Sequence, residues 1–220
     1  RQKRYVEVSE VLNRLPPSRA WGQHEVVSYI GVGKYDKAIE ILEERVAGNP
    51  KDASSRVLLA RLIYAQKRDM ERSLSLLNEA DELQPYMFST LSSRIAVHYA
   101  AGTPESFAEA ERLVNEELER IRAGQSKREP FPVQLLKAEF YAVTKPEEEA
   151  EKEFKLLIEL SGFEAEGHAA LGRFYDFKGR RADAVEAWGR GLEIDGDNVD
   201  LRRRLVNILI ISQDDEDRVR

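Results

Sequence analysis

Residues 179–196 read GRRADAVEAWGRGLEIDG: a glycine, a small residue at Ala184, an apolar stripe, then a breaker. Residues 33–50, GKYDKAIEILEERVAGNP, say the same thing. So do KRDMERSLSLLNEADELQP (67–85), TPESFAEAERLVNEELERI (103–121) and KPEEEAEKEFKLLIELSG (145–162). One small residue holds an equivalent place in each phrase: Ala38, Ser73, Ala110, Ala150 and Ala184, at separations of 35, 37, 40 and 34. Each phrase follows another stretch with apolar residues at helical spacing, such as Val57, Leu58 and Leu62, or Leu135, Leu136 and Phe140. A self-similar period of this size is the signature of a stacked repeat. The unit is two helices, A and B, and the reading predicts about five such pairs with a partial helix at each end.

The small residue has a mechanical cause. Antiparallel helices approach to about 8–10 Å only where the side chains at the crossing are short. Ala38, Ala150 and Ala184 mark the crossing on helix B, and Ala60, Ala138 and Gly172 mark it on helix A. Leu42, Leu77, Val114, Phe154 and Trp188 each follow the small residue by four and are expected in the core. Punctuation agrees. Pro50, Pro85, Gly162 and Gly196 end B helices. Asp52, Thr103 and Asn198 are expected N-caps, with Pro104 at the first helical position. Glu147–Glu149 fall in a first turn, where the helix dipole favours acid.

On these residues the chain resembles the tetratricopeptide repeat (TPR) family. The best match is 165–198, through Leu171, Gly172, Tyr175, Gly179, Ala184, Trp188, Gly191 and Leu192. The stretches 19–52, 53–87 and 131–164 follow, and 88–130 is degenerate, with Ile95 and Glu117 where small residues are expected. Residues 1–18 read as a partial repeat helix, 199–212 as a terminal helix, and 213–220 as a charged tail. The resemblance implies an all-α, right-handed α-solenoid whose A helices line a concave groove. It also implies which residues face that groove: among them Arg61, Tyr64, Tyr99, Glu139, Arg173 and Asp176, with Phe177 beside the last. Tyr and Arg are types that concentrate binding energy; the competing reading is that Tyr64 and Tyr99 only buttress neighbouring helices. The places that clamp a chaperone's terminal carboxylate in some TPR domains hold Gln23, Val27, Leu58, Ser89 and Ser93 here, so that role is disfavoured.

The insertion RAGQSKREPFP (122–132) breaks the register. It reads either as a surface loop or as a partner loop presenting Lys127, Arg128 and Phe131. At the other end, Leu201, Leu205 and Ile208 form a packing stripe on the terminal helix, and Val206, Leu209 and Ile210 form a second stripe expected to be covered, either by a second copy of the chain in self-association or by sequence beyond Arg220.

Composition narrows the chemistry. With 42 % hydrophobic residues in 220, the chain can build a core, and with no Cys it has no thiolate sites. A net charge of −6 argues against nucleic acid, including RNA read by a pentatricopeptide-type repeat. No apolar run is long enough for a membrane span. The three His, at 24, 98 and 168, are too far apart to pair on a helix face, and no phosphate loop, HExxH or GxSxG is present. No enzyme, metal or cofactor is expected. The functional expectation is a scaffold that binds a protein or peptide; the alternative is an assembly or regulatory arm of a larger enzyme or secretion complex, acting through self-association, with a homodimer through the C-terminal helix as its form. The compartment stays open, with the cytoplasm favoured.

Overall fold

The computed structural model describes residues 22–219. Every regular element among them is an α-helix. In chain order they are α1 (Gly22–Gly31), α2 (Tyr35–Gly48), α3 (Ala53–Lys67), α4 (Met70–Leu83), α5 (Phe88–Ala101), α6 (Pro104–Arg122), α7 (Pro130–Thr144), α8 (Glu147–Ile158), α9 (Glu164–Phe177), α10 (Arg181–Ile194) and α11 (Val199–Val219). Odd-numbered helices are the A helices and even-numbered ones the B helices. The helix expected within residues 1–18 lies outside the described residues. Helix α11 continues to Val219, past the end expected at 212, so most of the presumed charged tail is helical.

The expected caps are made by side chains. Asp52 accepts from the Ser55 amide at 2.9 Å, Thr103 from Ser106 at 3.1 Å and Asn198 from Leu201 at 3.1 Å, each satisfying an amide that the first turn leaves unpaired. The turns after α1, α5 and α9 take a left-handed residue, supplied by Gly33, Gly102 and Gly179, and after α3 Arg68 takes it at φ 56°; after α7 the chain instead turns through an extended Lys145.

The chain divides into two compact units between Ala110 and Glu111, inside α6. In the first unit, Ala38, Leu42, Ala60, Ile63, Ser73 and Leu77 are completely buried. Ser73 shows why a small polar residue is admitted at the crossing: its hydroxyl donates to the Ala60 carbonyl at 2.8 Å, joining α4 to α3. Arg56 is buried as well, its guanidinium held by Glu79 at 2.9 Å and by the Asp52 carbonyl at 3.2 Å.

The second unit is packed most closely around Trp188. Its ring lies over Gly172, where an added Cβ would come within 2.3 Å of it, and its indole N–H donates to the Ala169 carbonyl at 3.2 Å. Gly167 admits the backbone of α8: an added Cβ there would lie 2.7 Å from the Ile158 nitrogen. Phe154 of α8 stacks on Phe174 of α9, with centroids 4.7 Å apart.

Two three-part staples recur in this unit. Tyr141 of α7 donates its hydroxyl to Glu111 of α6 at 2.6 Å, while Lys145 pairs with the same carboxylate at 2.8 Å and sits 5.5 Å from the Tyr141 ring. One repeat later, Tyr175 of α9 donates to Glu151 of α8 at 2.9 Å, while Arg180 pairs with that carboxylate at 2.6 Å and lies 4.3 Å over the Tyr175 ring. Each staple ties an A helix to the preceding B helix.

The insertion is pinned. Arg128 pairs at 2.9 Å with Glu117, both side chains being nearly inaccessible, and the Ser126 hydroxyl donates to the same carboxylate. Phe131 stacks on Phe163 at 5.0 Å. Of the two readings of this insertion, a partner loop presenting Lys127, Arg128 and Phe131 is corrected: Arg128 and Phe131 turn inward, and of the three only Lys127 stays exposed. Glu117 is buried at a crossing position because the loop brings it a cation.

Candidate functional site

The residues that the repeat register assigns to a groove fall into both units. In the first, Arg61 of α3 is exposed, as is Tyr99 of α5, whose ring lies 5.9 Å from Phe107. Tyr64 departs from the expectation. It is 7 % exposed, and the Arg68 guanidinium lies 5.5 Å over its ring, so it packs the helix pair and presents little surface.

In the second unit Glu139, Arg173 and Phe177 come together at a cleft of about 270 Å³ between α7 and α9. Its wall is Val143 and Phe177, which are 53 % and 71 % exposed. Its floor is Phe154 and Phe174, both buried and stacked on one another. Asp176 is exposed but does not line the cleft. The register explains the assembly: Glu139 and Arg173 are 34 residues apart, as are Val143 and Phe177, so equivalent positions of successive A helices meet across the cleft. Val143 was missed by the sequence reading, although its spacing of four from Glu139 is the signal that would have found it.

The charges around the cleft are unequal in their satisfaction. Lys178 donates to the Ala142 carbonyl at 3.1 Å and sits 5.5 Å from the Phe177 ring. Arg173 is half-buried, and among the described residues it makes no hydrogen bond and no ion pair. Burial, and then the charge of Arg204, push its guanidinium below the usual range, while Glu139 and Asp200 act in the other direction. Asp200 is already held by Arg204 at 2.7 Å and by Arg203.

A second cavity, about 290 Å³, lies among α8, α9 and α10. Its cations are spoken for: Lys155 pairs with Glu151 at 2.6 Å and Arg190 with Glu186 at 2.7 Å. His168 lines it; burial, with the charge of Arg190, lowers its pKa and favours the neutral ring. No three His, Asp or Glu side chains among the described residues are placed to hold a metal ion. No helix among them is long and apolar enough to cross a membrane.

On α11, Leu201 and Ile208 are buried, while Val206, Leu209 and Ile210 are 55 %, 54 % and 54 % exposed.

No protein-family model and no curated protein sequence matches the chain. Solved structures do. A thermophilic TPR protein of Thermus thermophilus aligns with TM-score 0.53 and 21 % identity, over 88 % of this chain and all of that one. A tetratricopeptide repeat protein of Parabacteroides merdae aligns with TM-score 0.60 and 13 % identity, over 95 % of this chain and 77 % of that one. Yeast Tom70 aligns with TM-score 0.58 and 11 % identity over 99 % of this chain, which spans 47 % of Tom70. At such identities the likeness speaks to fold alone. Paired helices crossing at small residues and repeating through both units, matched by these neighbours, make this an all-helical chain of TPR-like fold.

Proposed function

We propose that the chain is a non-catalytic scaffold that binds a segment of another protein on the faces of its A helices. The observation that carries this reading is the cleft of the second unit, where apolar and charged side chains converge between α7 and α9. Stacked helix pairs present extended surfaces of this kind. Exposed apolar side chains that adjoin one another and are rimmed by charge, as Val143 and Phe177 are here, mark binding surfaces. In the first unit Arg61 occupies the register of Glu139 and Arg173 and is the corresponding contact, and Tyr99 of α5 is exposed as well.

Photo-crosslinking tests this. A benzophenone side chain placed at Phe177 or Arg61 should capture a biotinylated octapeptide pool far better than one placed at Lys152, which is exposed on a B helix. Equal capture at all three positions would sink the reading.

A second reading rests on α11. Its exposed row of Val206, Leu209 and Ile210 suits self-association, by which the chain would serve as an assembly arm of a larger complex.

A further inference from the structure

We infer that the α7–α9 cleft takes one aromatic or branched aliphatic side chain of an extended peptide, and that an Asp or Glu next to it pairs with Arg173. This rests on the scaffold reading and names the chemistry of its partner.

The apolar half follows from size and lining. At about 270 Å³ the cleft is small for a drug-sized ligand but ample for one side chain. Val143 and Phe177 stand exposed above a floor that is already stacked and closed, so an entering apolar group removes both from water without disturbing the core.

The acidic half follows from Arg173. A guanidinium offers five donors in a rigid fork suited to a carboxylate. Here it is half-buried, and a charge in that position gains from an opposite charge what it has lost in hydration. Glu139 lines the same cleft but makes no ion pair with Arg173, and it is exposed and solvated, so it gains little from a cationic ligand. Asp200 is occupied by two arginines. The unsatisfied charge at the cleft is therefore positive. Lys178, fixed against Phe177 by the Ala142 carbonyl, adds to the positive field on that side. The whole chain is acidic at −6, so this cleft selects for charge locally, against the attraction of the surface at large.

The test is a display library of octapeptides with Phe fixed at the fourth position and the others randomised, panned on the whole chain. Far-UV spectra and melting curves establish that each variant is folded. The wild-type chain should enrich Asp or Glu beside the Phe several-fold. Arg173→Gln should abolish that enrichment, and Arg173→Glu should shift it to Lys or Arg. Phe177→Ala should weaken the selected peptides about tenfold or more. Peptides that depend on Phe177 but show no acidic preference, and bind Arg173→Gln as well as wild type, would overturn this inference and leave the scaffold reading standing. Peptides indifferent to Phe177, Val143 and Arg173, or no enriched peptides at all, would overturn both.

Discussion

Gly172 and Trp188 are two halves of one packing decision. The indole occupies the space where any other residue at 172 would put its Cβ, 2.3 Å from the ring. Trp188→Ala should cost about 3–5 kcal/mol, as a large core side chain is lost. Gly172→Ala should cost about 1–3 kcal/mol by overpacking. In the Trp188→Ala background the clash disappears, and the same Gly172→Ala change should become neutral or gain up to about 1 kcal/mol from helix propensity. Urea unfolding of the four proteins gives the coupling; strictly additive costs would mean that the ring does not rest on Gly172. This pair was legible in the sequence, because a repeated phrase places the small residue and the large one at fixed offsets. Tyr64 was less so. It stands next to the buried Ile63 on α3, and spacing alone does not say whether such a ring leans into the pair or out of it. Arg128 was hidden for a different reason: its partner, Glu117, sits on the preceding helix, and loop geometry rather than periodicity joins them. Removing one member of a buried pair strands the other, so Arg128→Met should cost about 3–5 kcal/mol, and adding Glu117→Leu should recover much of it. No recovery in the double variant would assign the loss to packing of the loop alone.

At the scale of elements, the staples decide how one helix pair holds the next. Burial works against an ionised Glu151, but hydrogen bonds from Lys155, Arg180 and Tyr175 outweigh it and hold the carboxyl down at about 2. The Tyr175 hydroxyl is correspondingly pushed up to about 12, by burial and then by the hydrogen bond to Glu151. Because the folded-state value lies below the ordinary one, the stabilisation is complete above about pH 4.5 and is lost as pH falls from there towards 2. Glu111 in the other staple moves the same way. Glu151→Gln should therefore lower the urea midpoint at pH 7 and flatten its fall between pH 5 and pH 3. A variant that loses stability with acid as steeply as wild type would remove Glu151 from the account. Periodicity located the helices that carry these staples, since the A and B stripes are long and regular. It was silent on the staples themselves, whose three members lie on two helices and the turn between helices.

For the whole molecule, repeat architecture predicts that damage at one helix pair is felt first by its neighbours within the same unit. Ala184→Leu overpacks the α9–α10 crossing. In hydrogen exchange it should lower protection in α9, α10 and α11 while α1–α4 keep theirs; uniform loss would show one cooperative block. The same architecture makes α11 stand out. In the second unit α7 and α9 are each followed by a B helix that buries a small-residue crossing at Ala150 or Ala184. No such helix follows α11 among the described residues. Val206, at the register of Ala138 and Gly172, is left 55 % exposed, with Leu209 and Ile210 beside it and Ile194 of α10 exposed as well. The arginines nearby do not shield the row: Arg202, Arg203 and Arg204 turn to Asp197 and Asp200. An apolar row of this extent gains free energy from any surface that covers it, roughly 25 cal/mol for each Å² removed from water. A second copy brings an identical row, and a two-fold arrangement lets the two rows cover one another. Sedimentation equilibrium should then show concentration-dependent association of the wild-type chain, abolished by Val206→Glu with Ile210→Glu while far-UV dichroism stays unchanged. A wild-type chain that stays monomeric into the high micromolar range would sink self-association through α11 and leave the A-helix cleft as the only interaction surface proposed for the second unit.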